Sequence, residues 1–227
     1  MYKQKKVLLL DMNSTFMFGE DRFGQDEDYS LYYRKIGGSL SEHEINKLIT
    51  DVYQYLEVRY TDITYRENFP SVIYAINEVS DKELSQRDLT KVIDTFAFHE
   101  RGHISSEYLE LIAQLSKQYT LAVVADIWAP KGAWLETFDE LGLMEHFSVC
   151  SFSSDHGIVK PSPRSFELVV EQLGVPKNDC LVIGDSVRRD LGGARAAGID
   201  CVLVGEANDA AAVASYKSLL AAGDDLL

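Results

Sequence analysis

The stretch K-V-L-L-L-D-M-N-S-T, Lys6 to Thr15, decides how the rest of the chain is read. Four apolar residues, Val7 to Leu10, run without interruption into Asp11. A short continuous apolar run is what a parallel strand buried on both faces requires. It predicts a strand over residues 6–11 with a carboxylate at its C-terminal end. Ligands in open α/β sheets bind outside that end. The same residues also fit a plain strand followed by an Asx turn at Asn13-Ser14. Three later stretches weigh against that plainer reading: the apolar run ending at Asp126, the Lys160-Pro161 turn, and I-G-D-S-V-R-R-D from Ile183 to Asp190.

Working outward from this strand, the pattern changes at once. Between Asp26 and about Gly102 no strand run is found, only helical patterns. Ser41 with Glu44 three residues on has capping-box spacing. From it a helix is expected to run towards Tyr60, with Ile45, Leu48, Ile49, Val52, Tyr53 and Leu56 on one face. Further helices are expected over residues 69–79, with Pro70 in the first turn, and over residues 85–99. Alternation of helix and strand resumes at Ser106. Strands are predicted at 120–125, 147–151, 181–183 and 201–204, with helices at 106–118, 131–141, 163–173 and 188–197. That order predicts an α/β fold built on a doubly wound, mainly parallel sheet. Residues 1–17 and 104–227 are expected to form the α/β core, and residues 18–103 an inserted all-helical cap. The alanine-rich tail predicts one more helix, residues 209–219, and a frayed end.

Composition sets the class of partner. Of 227 residues 46% are apolar, enough to fill a core. Lys and Arg number 22 against 36 Asp and Glu, a formal charge of -14. Such a surface repels nucleic acid and acidic membranes, so neither is an expected partner. A phosphorylated substrate would need local lysines or a divalent cation to reverse the field. Cys150, Cys180 and Cys201 have no paired spacing and read as core thiols in a reducing compartment. The N-terminus is basic (Lys3, Lys5, Lys6), but its apolar run is too short for a signal or a membrane span. A cytoplasmic location is the expectation.

The polar groups at the strand ends carry the chemistry. There is no G-x-G-x-x-G after the first strand and no G-x-x-x-x-G-K-S/T anywhere, which disfavours dinucleotide and P-loop readings. What remains is acidic: Asp11, Asp185 and Asp190, a set of oxygen donors suited to Mg²⁺. With D-M-N-S-T, L-A-V-V-A-D, G-I-V-K-P-S-P and G-D-S-V-R-R-D in this order, the chain resembles a haloacid dehalogenase superfamily hydrolase with a helical cap inserted after the first motif. The resemblance covers nearly the whole chain.

The resemblance implies roles for particular residues. Asp11 matches the carboxylate nucleophile. Lys160 matches the lysine that pairs with it and with a phosphoryl oxygen. Asp11, the backbone carbonyl of Asn13, Asp185 and Asp190 are the expected Mg²⁺ ligands, with Asp190 alternatively bracing Lys160. Arg22, Asp126 and Trp128 are expected at the mouth, against the substrate, which would be a small phosphorylated metabolite. Two positions depart from the pattern. Asn13 stands where phosphatases carry an acid/base aspartate, and Ala125 where a Ser or Thr hydroxyl is usual. The expected function is therefore Mg²⁺-dependent phosphatase activity through an aspartyl-phosphate on Asp11, weakened by Asn13 and Ala125. Two alternatives stand beside it. One is a metal-independent 2-haloacid dehalogenase-like hydrolase, a branch that also lacks the second aspartate. The other is a catalytically impaired binding or regulatory protein on the same scaffold. The sequence leaves the oligomeric state open.

Overall fold

Strand β1 (Val7–Leu10) lies at the centre of the sheet in the computed structural model, which describes residues 4–227. Lys3 and the first three positions of the 1–17 segment lie outside the described residues. In chain order there follow α1 (Tyr29–Lys35), α2 (Glu42–Thr61), α3 (Val72–Val79), α4 (Gln86–Glu100), α5 (Ser106–Leu115), β2 (Thr120–Ala125) and α6 (Gly132–Glu140). Then come β3 (Phe147–Phe152), α7 (Ser153–His156), α8 (Arg164–Leu173), β4 (Cys180–Gly184), α9 (Gly192–Ala197), β5 (Asp200–Val204), β6 (Ala214–Tyr216) and α10 (Leu219–Leu226). The sheet order is β3-β2-β1-β4-β5-β6, and every pairing is parallel. Leu10 sits level with Val123 of β2 and with Ile183 of β4. The residues that follow these strands therefore emerge together at one edge.

β1 is buried throughout because both faces are covered. Leu8 and Leu10 face a layer shared with Phe16, Ile112, Trp134 and the inserted helices. Val7 and Leu9 face Phe166, Val169 and Ala194 on the other side. The helical segments between β1 and α5 form where their caps fall. Ser41 and Glu44 make a reciprocal capping box at the start of α2. Ser71 and Ser85 cap α3 and α4. The chain enters and leaves this insertion at adjacent points: Phe18 and His103 exchange backbone hydrogen bonds of 2.9 and 2.8 Å. Gly102 permits that approach, since a Cβ there would lie 2.5 Å from the Phe18 carbonyl oxygen.

The tail corrects the reading of the sequence. Residues 209–219 do not form a helix. They carry β6, which pairs with β5 at the sheet edge. Exposure there alternates with period two, so no helical face is available to bury, and pairing overrides alanine's helix propensity. Nor does the end fray. Ser218 caps α10, Tyr119 donates to the Leu226 carbonyl at 2.9 Å, and Gly223 packs on Leu111. The predicted helix at 188–197 is also divided. A wide π turn over Val187–Leu191 precedes α9. All three cysteines are free, Cys180 and Cys201 buried and Cys150 half-buried.

Candidate active site

Asp11 leaves the end of β1 with its N–H donating to the Ile183 carbonyl at 2.8 Å, so its backbone is fixed by the neighbouring strand. A tight turn follows, in which the Met12 carbonyl accepts from Thr15, Phe16 and Met17. That turn brings the Thr15 hydroxyl 3.2 Å from Asp11 Oδ2. Ser14 takes a left-handed conformation to make it, φ 55°.

Lys160 reaches the same point from the loop before α8. Its Nζ lies 2.6 Å from Asp11 Oδ1 and 2.7 Å from Asp190 Oδ1. All three side chains are buried. The π turn after Ser186 aims Asp190 back at the sheet, where its second oxygen accepts the Ser186 N–H at 3.0 Å. Gly184 leaves room for it: a Cβ there would meet Asp190 Cγ at 2.3 Å. This is a physical reason for glycine before Asp185.

Charge is unbalanced in this cluster. Burial alone would lower the Lys160 pKa, but Asp11, Asp190 and Asp126 hold its ammonium well above the ordinary range. One ammonium serves two close carboxylates. Burial pushes the Asp11 carboxyl up to about 7, against the pull of Lys160 and with the help of Asp190. Asp185, raised by burial and by Asp190, has a buried Oδ1 with no hydrogen-bond partner. Its nearest cation is Arg189, 3.8 Å away. Asp11, Asp185 and Asp190 bring ligand atoms within 4.8 Å of one another. An orphaned carboxylate oxygen beside two carboxylates short of positive charge fits a hard divalent cation.

Asp126 turns inward at the end of β2. Its carboxylate accepts the Lys160 N–H at 3.0 Å and the Tyr60 hydroxyl at 2.7 Å, and burial raises its pKa. Tyr60 comes from the last turn of α2, so this hydrogen bond joins the inserted helices to the sheet. Ala125, just before, is buried and offers no hydroxyl. The amide oxygen of Asn13 is buried without a partner. Glu100, buried at the end of α4, accepts the N–H groups of Trp128 and Ala129 and shapes that loop.

A cavity of about 320 Å³ opens above these groups. Asp11, Asn13, Asp126, Trp128 and Lys160 line it, so most residues singled out in the sequence meet there. Arg22, Asp185 and Asp190 are not among the lining residues. The Arg22 guanidinium donates to the carbonyls of Gly19, Phe98 and Arg101 and lies over the Phe98 ring, 5.0 Å from the centroid. Carbonyls at and just after the C-terminal end of α4 are natural partners for a guanidinium. The sequence reading missed Tyr53, Glu57 and Tyr60, which line the cavity from α2. Their spacing, i, i+4 and i+7, puts them on one helical face, and that was the available signal.

Comparison with known proteins gives the class. A family profile described as hydrolase, haloacid dehalogenase-like hydrolase, matches residues 5–198. The chain belongs to that family. The chain is 40% identical over 63 residues to a phosphoserine phosphatase of Thermus thermophilus, a match covering 28% of this chain and 25% of that protein. It is 26% identical to the 5-amino-6-(5-phospho-D-ribitylamino)uracil phosphatase YigB of Escherichia coli, over 71% of this chain and 65% of that protein. These matches thus span from a quarter to just under two thirds of the relatives' own length. Among solved structures, a 2-haloacid dehalogenase from Pseudomonas syringae superposes with a TM-score of 0.64 at 19% identity, covering 98% of this chain and 97% of the other. That likeness is one of fold. The three proteins act on different substrates. Among the described residues no helix is long and apolar enough to cross a membrane.

Proposed function

We propose that this chain is a Mg²⁺-dependent phosphatase of a small phosphorylated metabolite, with Asp11 as the nucleophile. The observation that carries the reading is the buried Lys160 ammonium shared between Asp11 and Asp190, with an unpartnered Asp185 oxygen beside them. Asp11, Asp185 and the backbone carbonyl of Asn13 would hold the ion. Both Asp190 oxygens are already engaged, so Asp190 acts mainly as a brace for Lys160. When bound, the ion supplies the positive charge that the cluster lacks. We take residues 1–17 and 104–227 as the core and residues 18–103 as the cap, the Phe18 and His103 pairing marking the crossing.

The chain's own residues then act in sequence. Lys160 neutralises a phosphoryl oxygen and keeps Asp11 from repelling it. Asp11 attacks phosphorus; the aspartyl–phosphorus bond forms as the bond to the leaving oxygen breaks. Water then releases phosphate and restores Asp11. The weak point is the leaving oxygen's proton, since the Asn13 amide cannot donate one. General acid–base catalysis contributes about 10²–10⁴-fold. Aryl phosphates, whose leaving groups need no proton, should therefore be turned over better than alkyl esters.

The test is turnover of an aryl phosphate with and without Mg²⁺, beside a panel of 2-haloacids. Hydrolysis that needs Mg²⁺ and falls at least about 10³-fold in Asp11→Asn, with the fold intact, is expected. Haloacid turnover without metal would move the assignment to the dehalogenase branch. No turnover of either class would favour a binding or regulatory role on this scaffold.

A further inference from the structure

The cavity has two unlike halves. Its floor holds Lys160 and the cluster just described. Its far wall, from α2 and the segment after β1, carries Glu20, Asp21 and Glu57. None of these three makes an ion pair among the described residues. One Glu20 oxygen accepts the Ser14 hydroxyl at 2.7 Å; the other is buried with no partner. Arg188 and Arg189 also line the cavity; Arg189 lies 3.8 Å from Asp185 and against the Tyr60 ring, and its charge also acts on Asp21. Carboxylates thus outnumber cations around a cavity whose floor is suited to an anion.

The wall is also aromatic. Tyr53 and Tyr60 each lie 5.5 Å from Trp128, ring centre to ring centre, and all three line the cavity. Glu57 stands on the same face of α2, four residues after Tyr53 and three before Tyr60. Aromatic faces beside carboxylates attract organic cations, ammonium groups above all. A second metal ion fits less well. Among the described residues only Asp11, Asp185 and Asp190 bring three ligand atoms within 4.8 Å. The wall carboxylates are more dispersed, which suits a larger, diffuse cation.

We infer that this wall selects phosphomonoesters whose alcohol portion carries an alkylammonium group. The phosphoryl group would rest on the floor and the ammonium against Glu57, Glu20 and the Tyr53–Trp128 rings. An anionic alcohol portion would meet repulsion from the same wall. The inference rests on the phosphatase reading of the floor, and its test is chosen to stand apart from turnover.

The measurement is calorimetric binding, with Mg²⁺ at near-neutral pH, of three phosphonates of equal length: 2-aminoethylphosphonate, propylphosphonate and phosphonoacetate. Their carbon–phosphorus bond is not a phosphate ester, so affinity is read whether or not the protein turns over. The ammonium compound should bind about 10-fold more tightly than the propyl compound, the size of one desolvated cation–π contact. Phosphonoacetate should bind most weakly. Glu57→Gln should reduce the ammonium-to-propyl ratio by about 3-fold or more, and Asp21→Asn should move it in the same direction. Equal or tighter binding of propylphosphonate overturns the inference, as does failure of all three to bind or a ratio unmoved in both variants. If the ratio holds but aryl phosphate is not hydrolysed, the phosphatase reading fails and the wall's selectivity stands.

Discussion

The floor and the wall of the cavity are built by different rules. On the floor all the charged groups but Asp185 are held: Lys160 by Asp11 and Asp190, Asp190 also by the Ser186 N–H, Asp11 also by Thr15. Strand ends and a π turn fix these positions, so the geometry follows from the sheet. On the wall, Glu57 and Asp21 have no ionic partner among the described residues. Their positions follow from one face of one helix and one loop. A floor so constrained leaves its charged groups little freedom to move. A wall so lightly constrained is where specificity is free to change.

Lys160→Met should break the floor most severely. It leaves Asp11 and Asp190 buried without their cation, an effect of about 3–5 kcal/mol. The direction with pH follows from Asp11. Its folded pKa is already raised, and losing Lys160 raises it further. Stability is then retained at low pH, where Asp11 is neutral, and lost as pH rises through its folded pKa. Urea denaturation of this variant below and above pH 7 should show the larger loss at the higher pH; a pH-independent loss would contradict the assignment of charge.

Arg22→Ala sharpens the contrast from the wall side. If Arg22 serves the C-terminal end of α4, the variant loses about 1–2 kcal/mol of stability with KM unchanged, since hydrogen bonds from a charged donor are of that order. A rise in KM with stability intact would return Arg22 to the substrate.

A separate pH effect is expected at Glu100, whose carboxyl burial pushes up to about 8 despite the N–H groups of Trp128 and Ala129. An acid with a raised folded pKa contributes stability that is full below its unfolded value, near 4.5, and lost as pH rises through 8. The Tm of the metal-free protein should therefore fall from about pH 5 to pH 9, by on the order of ten degrees, and Glu100→Gln should flatten the fall. A Tm that climbs over that interval would overturn this assignment.

The same contrast explains what was legible in the sequence. The strand ends were readable because an apolar run stopping at Asp11, Ala125 or Ile183 can mean little else in a parallel sheet. Helix α2 of the insertion was readable through its cap, Ser41 with Glu44 three residues on, which announces itself locally. The place of Arg22 was not readable because two of its carbonyl partners lie 76 and 79 residues away, contacts without a local signature. The tail was misread because alanine propensity is weak beside edge pairing with β5. Tyr60 escaped notice for a related reason: a tyrosine at the end of an amphipathic helix looks like core until its hydroxyl is seen to reach Asp126.

The central claim is that Asn13 and Ala125 limit a phosphatase whose other parts are in place. Initial rates with an aryl and an alkyl phosphate, in Mg²⁺, should be compared for wild type, Asn13→Asp, Ala125→Ser and the double variant. Asn13→Asp keeps the side chain's shape and adds the titratable group, so a gain approaching about 10²-fold is predicted, larger for the alkyl ester. The lost hydroxyl at Ala125 is worth on the order of 10²-fold as well. The double variant should therefore exceed both singles. If all three stay folded and bind Mg²⁺ yet none gains activity, the pocket is not arranged for phosphoryl transfer, and the account is contradicted.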